Sequence, residues 1–464
     1  MYALYLCYFT FGFCLSFGAI AMNFEMMETL KFTPVEMTLS MGIVAAPWCI
    51  KPIFGFISDK YPAFDWGKRR PYISACGFIL GYLYVMLPSY INTKESMVAI
   101  MSSISFFLCF SDVCADCITV DAVKTETSKG KTQANCWTSR ALGSVLGSTL
   151  GGTVYHNYGT RVVFLIAAVP CFMMSVGVWT LEKNTSEAPN NVCKKLAKSV
   201  YKKRALAFAL FAMNLGPNYS PFYTFFLRKN IGYTPEDFQW ISMASSLSFL
   251  ASTFLYKTFL LQYNPLSVMK TGVILGVCCE FIQLFVVTGI TDSRMFIIFD
   301  SVGQSFFGML VLMPLIVVVA HNARGGVEGT FYALLMALKN LSSVVADEIG
   351  GLIGSMLGVS RENFDNLYIL VFICAACDLF IQMTVINNTS FVSYFEVESP
   401  RGRKIPRRSA ANNTVMSDYT GVMADLGTPD SPDHMLEMSG TRLHSRDSSD
   451  HNPENWVQNH QPAN

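Results

Sequence analysis

The sequence is poor in charge. Asp, Glu, Lys and Arg together make up 14% of its 464 residues, whereas a soluble chain of this size carries about a quarter. Hydrophobic residues make up 52%, and several apolar stretches reach the roughly 20 residues that are needed to cross the hydrocarbon core of a bilayer. The shortage of charge therefore excludes a soluble globular protein and predicts an integral, multi-pass membrane protein.

Net charge is also nearly absent. The formal charge at pH 7 is +1, too small to attract a polyanion, so we expect no nucleic-acid partner. The 14 cysteines lie mostly within apolar runs, where a thiol behaves as a small apolar group, and we expect no disulfide framework. The six histidines form no nucleophile–base or metal motif. We therefore expect no enzyme activity, no cofactor and no metal.

Apolar runs and the residues that interrupt them predict an all-α polytopic membrane protein with twelve transmembrane helices. The predicted spans cover about residues 2–22, 36–57, 71–91, 96–123, 132–156, 161–181, 205–227, 235–256, 267–289, 294–320, 327–357 and 365–386. Beyond them, residues 387–464 are rich in Ser, Pro, Asn, Asp and Arg and contain few apolar clusters, so we predict a disordered cytoplasmic tail.

Basic residues in the predicted loops are unevenly distributed. If both termini are cytoplasmic, the inner loops hold 17 Lys or Arg and the outer loops hold seven. Short basic loops resist translocation, so this difference predicts that both termini are cytoplasmic. We expect the plasma membrane to be the location, with an organellar membrane as the alternative.

The longest predicted cytoplasmic loop, residues 182–204, divides the spans into an N-terminal half, 1–181, and a C-terminal half, 205–386. Residues 130–152 and 329–351 align without gaps at an offset of 199, so span five is predicted to be a copy of span eleven. Two related six-helix halves, with a site between them near the midplane, are typical of secondary transporters. We therefore predict two pseudo-symmetric six-helix halves.

Ionisable residues inside the predicted spans mark a candidate substrate site, because a charge at the centre of a bilayer costs a few kcal/mol even on lenient scales. Asp112, Asp116 and Thr119 lie at helical spacing on one face of span four. The repeat matches Arg140 to Lys339, and helix rise places each roughly 15 Å into its span. We predict that the cations bind an anionic substrate group and that a carboxylate carries a proton or binds ring N–H donors. The alternative is a structural ion pair such as Asp116 with Arg140.

Four further side chains are predicted to line the same cavity. They are Asn218, Tyr223, Asp300 and Gln304. The first two lie where a Gly-Pro-Asn-Tyr-Ser-Pro run interrupts span seven, which is tolerated where the freed carbonyls line a cavity or a bend; a simple kink is the alternative. Glu280 and Gln283 share a face of span nine, where helix packing or pairing at the lipid edge is an equal alternative. Asp347 and Glu348 are expected to reach water near the outer end of span eleven.

The stretch Pro47–Tyr72 joins spans two and three. It contains a Gly-x-x-x-Asp-Lys pattern that starts at Gly55, followed by a basic Gly-Lys-Arg-Arg cluster at 67–70. This pattern resembles the signature loop of the major facilitator superfamily. The version here is longer, with a Pro-Trp-x-x-Lys-Pro motif ahead of it at 47–52, and in this form it resembles the folate-biopterin transporter family.

Further segments match the same family. They are Asp112–Asp116 with Asp121, Ser139–Gly143, Phe222-Tyr223, Gly232–Glu236 and Gly329–Leu335. The resemblance covers most of residues 36–350. It implies a major facilitator fold and a secondary active transporter of folate, biopterin or related pterin conjugates. Alternating access and proton coupling are the expected mechanism, so the expected partners are a small-molecule substrate, protons and membrane lipid.

Two alternatives to folate transport stay open. The Gly-Lys-Arg-Arg-Pro run at 67–71 also resembles the loop of glycoside–cation symporters. A sugar site needs stacking aromatic rings more than cations, so Arg140 and Lys339 argue against that alternative. A non-transporting membrane receptor or enzyme is the less favoured one.

Six residues are predicted to form an inner gate rather than a substrate site. They are Lys51, Asp59, Lys68, Arg69, Arg70 and Asp121. Those of the Pro47–Tyr72 stretch are expected at the cytoplasmic end, well below the buried charges. Asp59 would pair with cations or with a helix end in one conformation, and Asp121 would act as a gate or form a salt bridge with the following loop.

Overall fold

The computed structural model describes residues 1–61, 69–125, 131–181, 201, 203–260, 263–322 and 328–394, but not the side chains at 59–60, 120–125, 131–134, 257, 316–322, 328–330 and 332. All of them belong to one structural unit, Met1–Gly427, and every regular element in the described ranges is helical. Most of the predicted loop 182–204 and the predicted tail beyond residue 394 lie outside these ranges.

Helix is present at each of the twelve predicted positions. In the N-terminal half the helices are α1 (Tyr2–Phe17), α2 (Ala19–Phe24), α3 (Pro34–Cys49), α4 (Lys51–Lys60), α5 (Arg70–Tyr90), α6 (Lys94–Thr125) and α7 (Lys131–Gly177). In the C-terminal half they are α8 (Arg204–Ala212), α9 (Ser220–Phe226), α10 (Pro235–Phe259), α11 (Pro265–Val287), α12 (Arg294–Asn322), α13 (Glu328–Met356), α14 (Leu367–Asn387) and α15 (Thr389–Val392).

Eight segments of the described chain are long and apolar enough to cross a membrane. One of them, Asn135–Thr180, contains the predicted spans five and six. Gly159 separates these two spans, because its φ of 74° interrupts the helix. The other three predicted positions, α8 with α9, α10 and α13, are helical but more polar or interrupted. The all-α membrane fold is therefore confirmed.

The predicted interruption of span seven is present, since α8 ends at Ala212 and α9 begins at Ser220. Pro217, in the intervening run, lacks an N–H group and disfavours helix in the residue before it. The backbone N–H groups of Asn218 and Ser220, which the break frees, find other partners. The N–H of Asn218 donates to the carbonyl of Ala346 at 3.2 Å, and Asn218 Oδ1 accepts from the N–H of Ser220 at 2.9 Å. The interruption is therefore anchored to α13.

The two halves are built alike at the start of their second spans. A π-helical turn follows α2 at Glu25–Thr29, and another follows α9 at Leu227–Ile231. After each comes a residue with positive φ, Lys31 at 54° and Gly232 at 84°. A Thr-Pro capping box then starts α3 and α10, in which the threonine side chain accepts from the third backbone N–H of the helix. This repeated corner supports two pseudo-symmetric halves.

Glycines of the internal repeat occupy matching places in the two halves. A Cβ at Gly151 of α7 would overlap the carbonyl of Phe17, the last residue of α1. A Cβ at Gly350 of α13 would overlap the carbonyl of Asn218, in the interruption of span seven. Each glycine thus lets a long helix approach the point where its neighbour is broken, as expected for small residues at membrane helix contacts.

Candidate functional site

Asp112 is the centre of a buried ion cluster in the N-terminal half. Its side chain is 1% exposed, and its oxygens accept hydrogen bonds from two cations, at 2.7 Å from Lys51 Nζ and at 2.8 Å from Arg140 Nη1. The cluster joins α4, α6 and α7. Its carboxylate gives two cations a shared ionic partner, so neither is isolated in the membrane interior.

Asp116 lies one turn further along α6 and has different partners. Its Oδ1 accepts a hydrogen bond of 2.6 Å from the hydroxyl of Tyr8, and that hydroxyl lies 3.1 Å from Thr119 Oγ1. The ion pair named in the sequence-based alternative, Asp116 with Arg140, was the wrong pairing, because Arg140 contacts Asp112 instead. The two predicted carboxylates are therefore in different environments.

The prediction that Lys51 lies well below the buried charges was wrong. Helix α4 begins at Lys51, and its ten residues amount to roughly 15 Å of helix. That length separates Lys51 from the loop at the cytoplasmic end and places it level with Asp112. The gating role of Lys51 stays a prediction, but its ammonium group belongs to the buried cluster.

The turn before Lys51 also contacts the C-terminal half. Lys51 Nζ lies 4.6 Å from the centre of the Trp48 ring, and Trp48 Nε1 donates to Ser105 Oγ at 3.0 Å. Asn340 of α13 donates from Nδ2 to the carbonyl of Trp48 at 3.2 Å. One tryptophan therefore connects the buried ion cluster to the helix that carries Lys339.

The two arginines of the predicted inner gate donate hydrogen bonds to backbone carbonyls. Arg69 Nη1 donates to the carbonyl of Cys117 at 3.1 Å, and Arg70 Nη1 donates to the carbonyl of Leu181 at 2.5 Å. Their function as a gate stays a prediction. Three other predicted gate groups lie outside what the structure describes: Lys68 and the side chains of Asp59 and Asp121.

A cavity of about 490 Å³ lies within the C-terminal half, between spans seven to twelve. Its polar lining residues are Asn214, Asn218, Tyr219, Ser220, Tyr223, Thr224, Ser245, Glu280, Gln283, Ser301, Gln304, Ser305, Ser343, Asp347, Asp378 and Gln382. Polar side chains inside a bundle of membrane helices are costly unless they serve a ligand, an ion or one another. This cavity is therefore the best candidate for a substrate site in the described part of the chain.

Three residues that line this cavity carry a buried polar atom without a hydrogen-bond partner in the described part of the chain. Among the described residues, the hydroxyl of Tyr223, Oε2 of Glu280 and Oε1 of Gln283 are buried and have no hydrogen-bond partner. The Gln283 amide is oriented by Asp300, which is 0% exposed and accepts from Gln283 Nε2 at 2.7 Å and from Gln304 Nε2 at 3.2 Å. Asp300 thus positions two amides that line the cavity.

Asn218 and Asp347 form one polar wall of the cavity. Asn218 Nδ2 donates to Asp347 Oδ1 at 2.8 Å, and both residues line the cavity. Sequence reasoning expected Asp347 to reach water near the outer end of span eleven, and the structure adds that this residue lines the cavity. Its carboxylate faces inward because the glycine contact at Gly350 brings α13 against the interruption of span seven.

Lys339 of α13 has no acidic partner among the described side chains, whereas its counterpart in the repeat, Arg140, is paired. Lys339 is half-buried and shares a helix face with Ser343 and Asp347, at spacings of four residues. Both of these line the cavity, so Lys339 lies about 6 Å beyond it along the helix axis. Helix α12 has no acidic residue other than Asp300. It therefore offers Lys339 no carboxylate in the way that Asp112 of α6 pairs with Arg140.

The structure divides the nine predicted substrate-binding residues between two places. Asp112 and Arg140 belong to the buried cluster, and Asp116 and Thr119 lie beside it at Tyr8. The other five, Asn218, Tyr223, Asp300, Gln304 and Lys339, lie in or beside the cavity. Sequence reasoning missed Asp378 in the cavity, although an acidic residue within apolar span twelve is the same signal that marked Asp300. It also missed Tyr8, whose hydroxyl lies in the apolar first span and needs a partner.

The two halves contact each other at the end of the bundle that the loop charges predict to be outer. Glu28, in the π-helical turn of span one, accepts from Arg228 Nε at 2.8 Å and lies 3.6 Å from Lys229 Nζ. Arg228 also donates to the carbonyl of Tyr233 at 2.9 Å. Glu28 and Arg228 therefore form a charged contact between the halves.

Two helix contacts close the same end. The N–H of Thr153 in α7 donates to Gln239 Oε1 in α10 at 2.5 Å. In α3, a Cβ at Gly42 would overlap the carboxylate of Glu348 in α13. Together with the Glu28 contact, these pairs join the halves at the predicted outer end in this conformation.

Glu28→Gln is expected to loosen the predicted outer end by about 1 kcal/mol, which is about a fivefold shift between closed and open conformers. The amide keeps the shape of the side chain but loses the charge that attracts Arg228. Labelling of Ser220→Cys by a membrane-impermeant maleimide added outside cells measures the opening, because Ser220 lines the cavity. The labelling rate should rise about fivefold.

Glu36→Gln is the matched control. Its partner, Lys94 at 2.6 Å, lies in the same half, so the control removes a charge at the same end without releasing one half from the other. An equal rise in labelling for Glu28→Gln and Glu36→Gln, or no rise for either, would contradict a closing role for Glu28.

Two helical halves that contact each other at the predicted outer end, with a polar cavity in the C-terminal half, define a transporter of the major facilitator type. The fold is similar to that of a solved nucleoside transporter, with a TM-score of 0.64 at 13% identity over 83% of this chain and 99% of that chain. It is also similar to a D-xylose–proton symporter, with a TM-score of 0.65 at 11% identity over 82% and 95%. At these identities the likeness concerns the fold alone.

A model of the BT1 family matches residues 12–388, and the chain belongs to that family. A folate-biopterin transporter of Synechocystis sp. is 27% identical over 385 residues, which cover 79% of this chain and 77% of the relative. Folate transporter 1 of Plasmodium falciparum is 23% identical over 377 residues, which cover 78% and 74%. The predicted family and the major facilitator fold are thereby confirmed, and the chain is a multi-pass membrane transporter.

Proposed function

We propose that the chain moves folate, biopterin or a related pterin conjugate across a membrane as a secondary active transporter. The names of its relatives support this substrate class. The observation that carries the proposal is the polar cavity, which offers unpartnered acceptors on one side and has Lys339 beyond it on α13. A pteridine ring supplies N–H donors for those acceptors, and the glutamyl tail of a folate supplies carboxylates for the lysine.

The proposed cycle is alternating access. The close helix contacts at Gly151 and Gly350 lie within the two halves. Each half is proposed to move as a rigid body. The Glu28–Arg228 contact closes the outer access in the present conformation, and its release opens the cavity to that side. Arg69 and Arg70, at the opposite end, are proposed to act in the inner gate.

The buried cluster of Lys51, Asp112 and Arg140 is proposed to brace the N-terminal half rather than to bind substrate, since both cations already donate to the Asp112 carboxylate. Asp116 is the proposed proton carrier of this half, because its carboxylate contacts a neutral hydroxyl and not a cation. Proton binding there would alter the contact between α6 and α1. The coupling of transport to a proton gradient rests on this residue in the proposal.

The chain is proposed to reside in the plasma membrane with both termini cytoplasmic, surrounded by lipid and without enzymatic activity. An organellar membrane is the alternative location. Its loop charges support this orientation.

Uptake of labelled folic acid and biopterin by cells that express the chain tests the proposed function. Wild-type protein should take up at least one of them, and faster at acidic than at neutral external pH. Asp116→Asn keeps a group that accepts from Tyr8 but cannot take up a proton, so its uptake should lose most of this pH dependence. Arg140→Ala should lower uptake because it weakens the bracing cluster.

Surface labelling should accompany each uptake measurement, so that transport is compared per molecule in the membrane. Wild-type uptake of a glycoside without any uptake of pteridines would overturn the folate proposal in favour of a sugar symporter. Normal pH-dependent uptake by Asp116→Asn would remove Asp116 as the proton carrier.

A further inference from the structure

Three unpartnered polar groups of the cavity lie on helices α9 and α11. Tyr223 is 8% exposed and Gln283 is 5% exposed, and each has a buried polar atom without a hydrogen-bond partner among the described residues. Glu280, one turn before Gln283 on the same face of α11, has an unpartnered Oε2. A buried polar atom without a partner costs free energy, so these atoms point to a ligand.

The orientation of Gln283 determines what it offers. Its Nε2 donates to Asp300 Oδ2 at 2.7 Å, which leaves its carbonyl oxygen as the buried group without a partner among the described residues, on a residue that lines the cavity. Asp300 is itself fully buried and also accepts from Gln304. Glu280 Oε2 and Gln283 Oε1 are therefore two neighbouring acceptors, and the Tyr223 hydroxyl is a group that donates or accepts.

We propose that Glu280 and Gln283 bind the amino-pyrimidinone edge of the pteridine ring, with the Tyr223 hydroxyl on the ring carbonyl. This inference rests on the proposed function and assigns the ring to the C-terminal half. The 2-amino group and the adjacent ring N–H form a pair of donors, which suits two acceptors on one helix face. A carboxylate accepting from such a pair makes charge-assisted hydrogen bonds, which are shorter and stronger than neutral ones.

The sequence-based hypothesis assigned the ring donors to Asp112 or Asp116 instead. Asp112 already accepts from two cations, and Asp116 accepts from Tyr8. Neither is therefore as available as Glu280. The cavity residues of α11 are consequently the specificity-determining residues, and the paired carboxylates of α6 are not.

Inhibition of labelled biopterin uptake by two unlabelled pteridines tests the inference on the unmodified protein. One competitor carries the 2-amino-4-oxo edge, and the other is the corresponding 2,4-dioxo compound, in which the amino donor is replaced by an acceptor. Wild-type protein should bind the dioxo compound about ten- to a hundredfold more weakly, as expected for loss of a hydrogen bond to a charged group.

Glu280→Gln tests the same contact from the protein side. It should weaken inhibition by the 2-amino compound about ten- to a hundredfold and change inhibition by the dioxo compound much less. Cys278→Ala is the matched control, because Cys278 lies on the exposed side of the same helix. It should leave both inhibition constants unchanged.

The outcomes separate this inference from the proposed function. Wild-type protein that takes up neither pteridine would overturn the proposed function, and the inference with it. Wild-type protein that takes up biopterin but is inhibited equally by the two competitors would overturn only the inference. Uptake by Glu280→Gln with an unchanged preference for the 2-amino compound would do the same.

Discussion

Asp112→Asn is expected to cost about 3–5 kcal/mol of stability, because breaking a buried ion pair by removing one partner leaves an uncompensated charge. Here one carboxylate serves two cations, Lys51 and Arg140, at 2.7 and 2.8 Å. The amide oxygen of asparagine accepts a hydrogen bond but carries no charge to balance either cation. The protein should reach the surface in much smaller amounts and should aggregate at a lower temperature in detergent, as measured by size-exclusion chromatography after heating.

Asp116→Asn is the control for that experiment. It changes the same residue type one turn away on α6, but the Tyr8 hydroxyl still has an acceptor. Its stability should therefore stay closer to that of the wild type. Combining Asp112→Asn with Arg140→Gln leaves one unpaired cation rather than two, so part of the stability should return. Wild-type surface levels and melting of Asp112→Asn alone would show that the ion pairs do not hold this half together.

Lys339→Gln is expected to impair the transport of folic acid and to leave the transport of biopterin nearly unchanged. The lysine has no acidic partner among the described side chains, so an anionic tail of the substrate is its proposed partner. The Michaelis constant for folic acid should rise about ten- to a hundredfold, the range for a lost hydrogen bond to a charged group. Uptake of biopterin, which has no glutamyl carboxylate, should change little. Concentration series of both labelled compounds measure the two constants.

Lys339→Arg keeps the positive charge and is the matched control. It should retain folic acid uptake better than Lys339→Gln, although the guanidinium group differs in shape and hydration from an ammonium group. An equal loss of folic acid and biopterin uptake in Lys339→Gln would instead assign the lysine to the structure of α13. No loss of either would remove it from the site.

Predictions from local pattern succeeded for the helices. The twelve positions depend on the length and hydropathy of single segments, and helix is present at each of them. The proline run predicted an interruption of span seven, which lies between Ala212 and Ser220. Thr-Pro sequences at 33–34 and 234–235 start two helices with the same capping box. These are local properties, since a cap or a helix break depends on neighbours within a few residues.

Predictions about which side chains contact each other, and at what depth in the membrane, succeeded only in part. The repeat identified Arg140 and Lys339 as equivalent, but in the structure one is paired and the other has no acidic partner among the described side chains. Lys51 was assigned to the wrong depth, because a loop motif does not reveal how much helix separates its lysine from the membrane surface. Depth follows from where α4 begins, at Lys51 itself.

The sequence by itself determined the class of protein, the all-α membrane fold and the residue types that a buried site requires. The tertiary structure alone decided that Asp112, and not Asp116, pairs with the cations, and that Glu280 and Gln283 of α11 line one cavity with Asp378. The physical reason is distance along the chain: Tyr8 and Asp116 are 108 residues apart. Such contacts depend on the rotation and packing of whole helices, which hydropathy and spacing within one span do not specify.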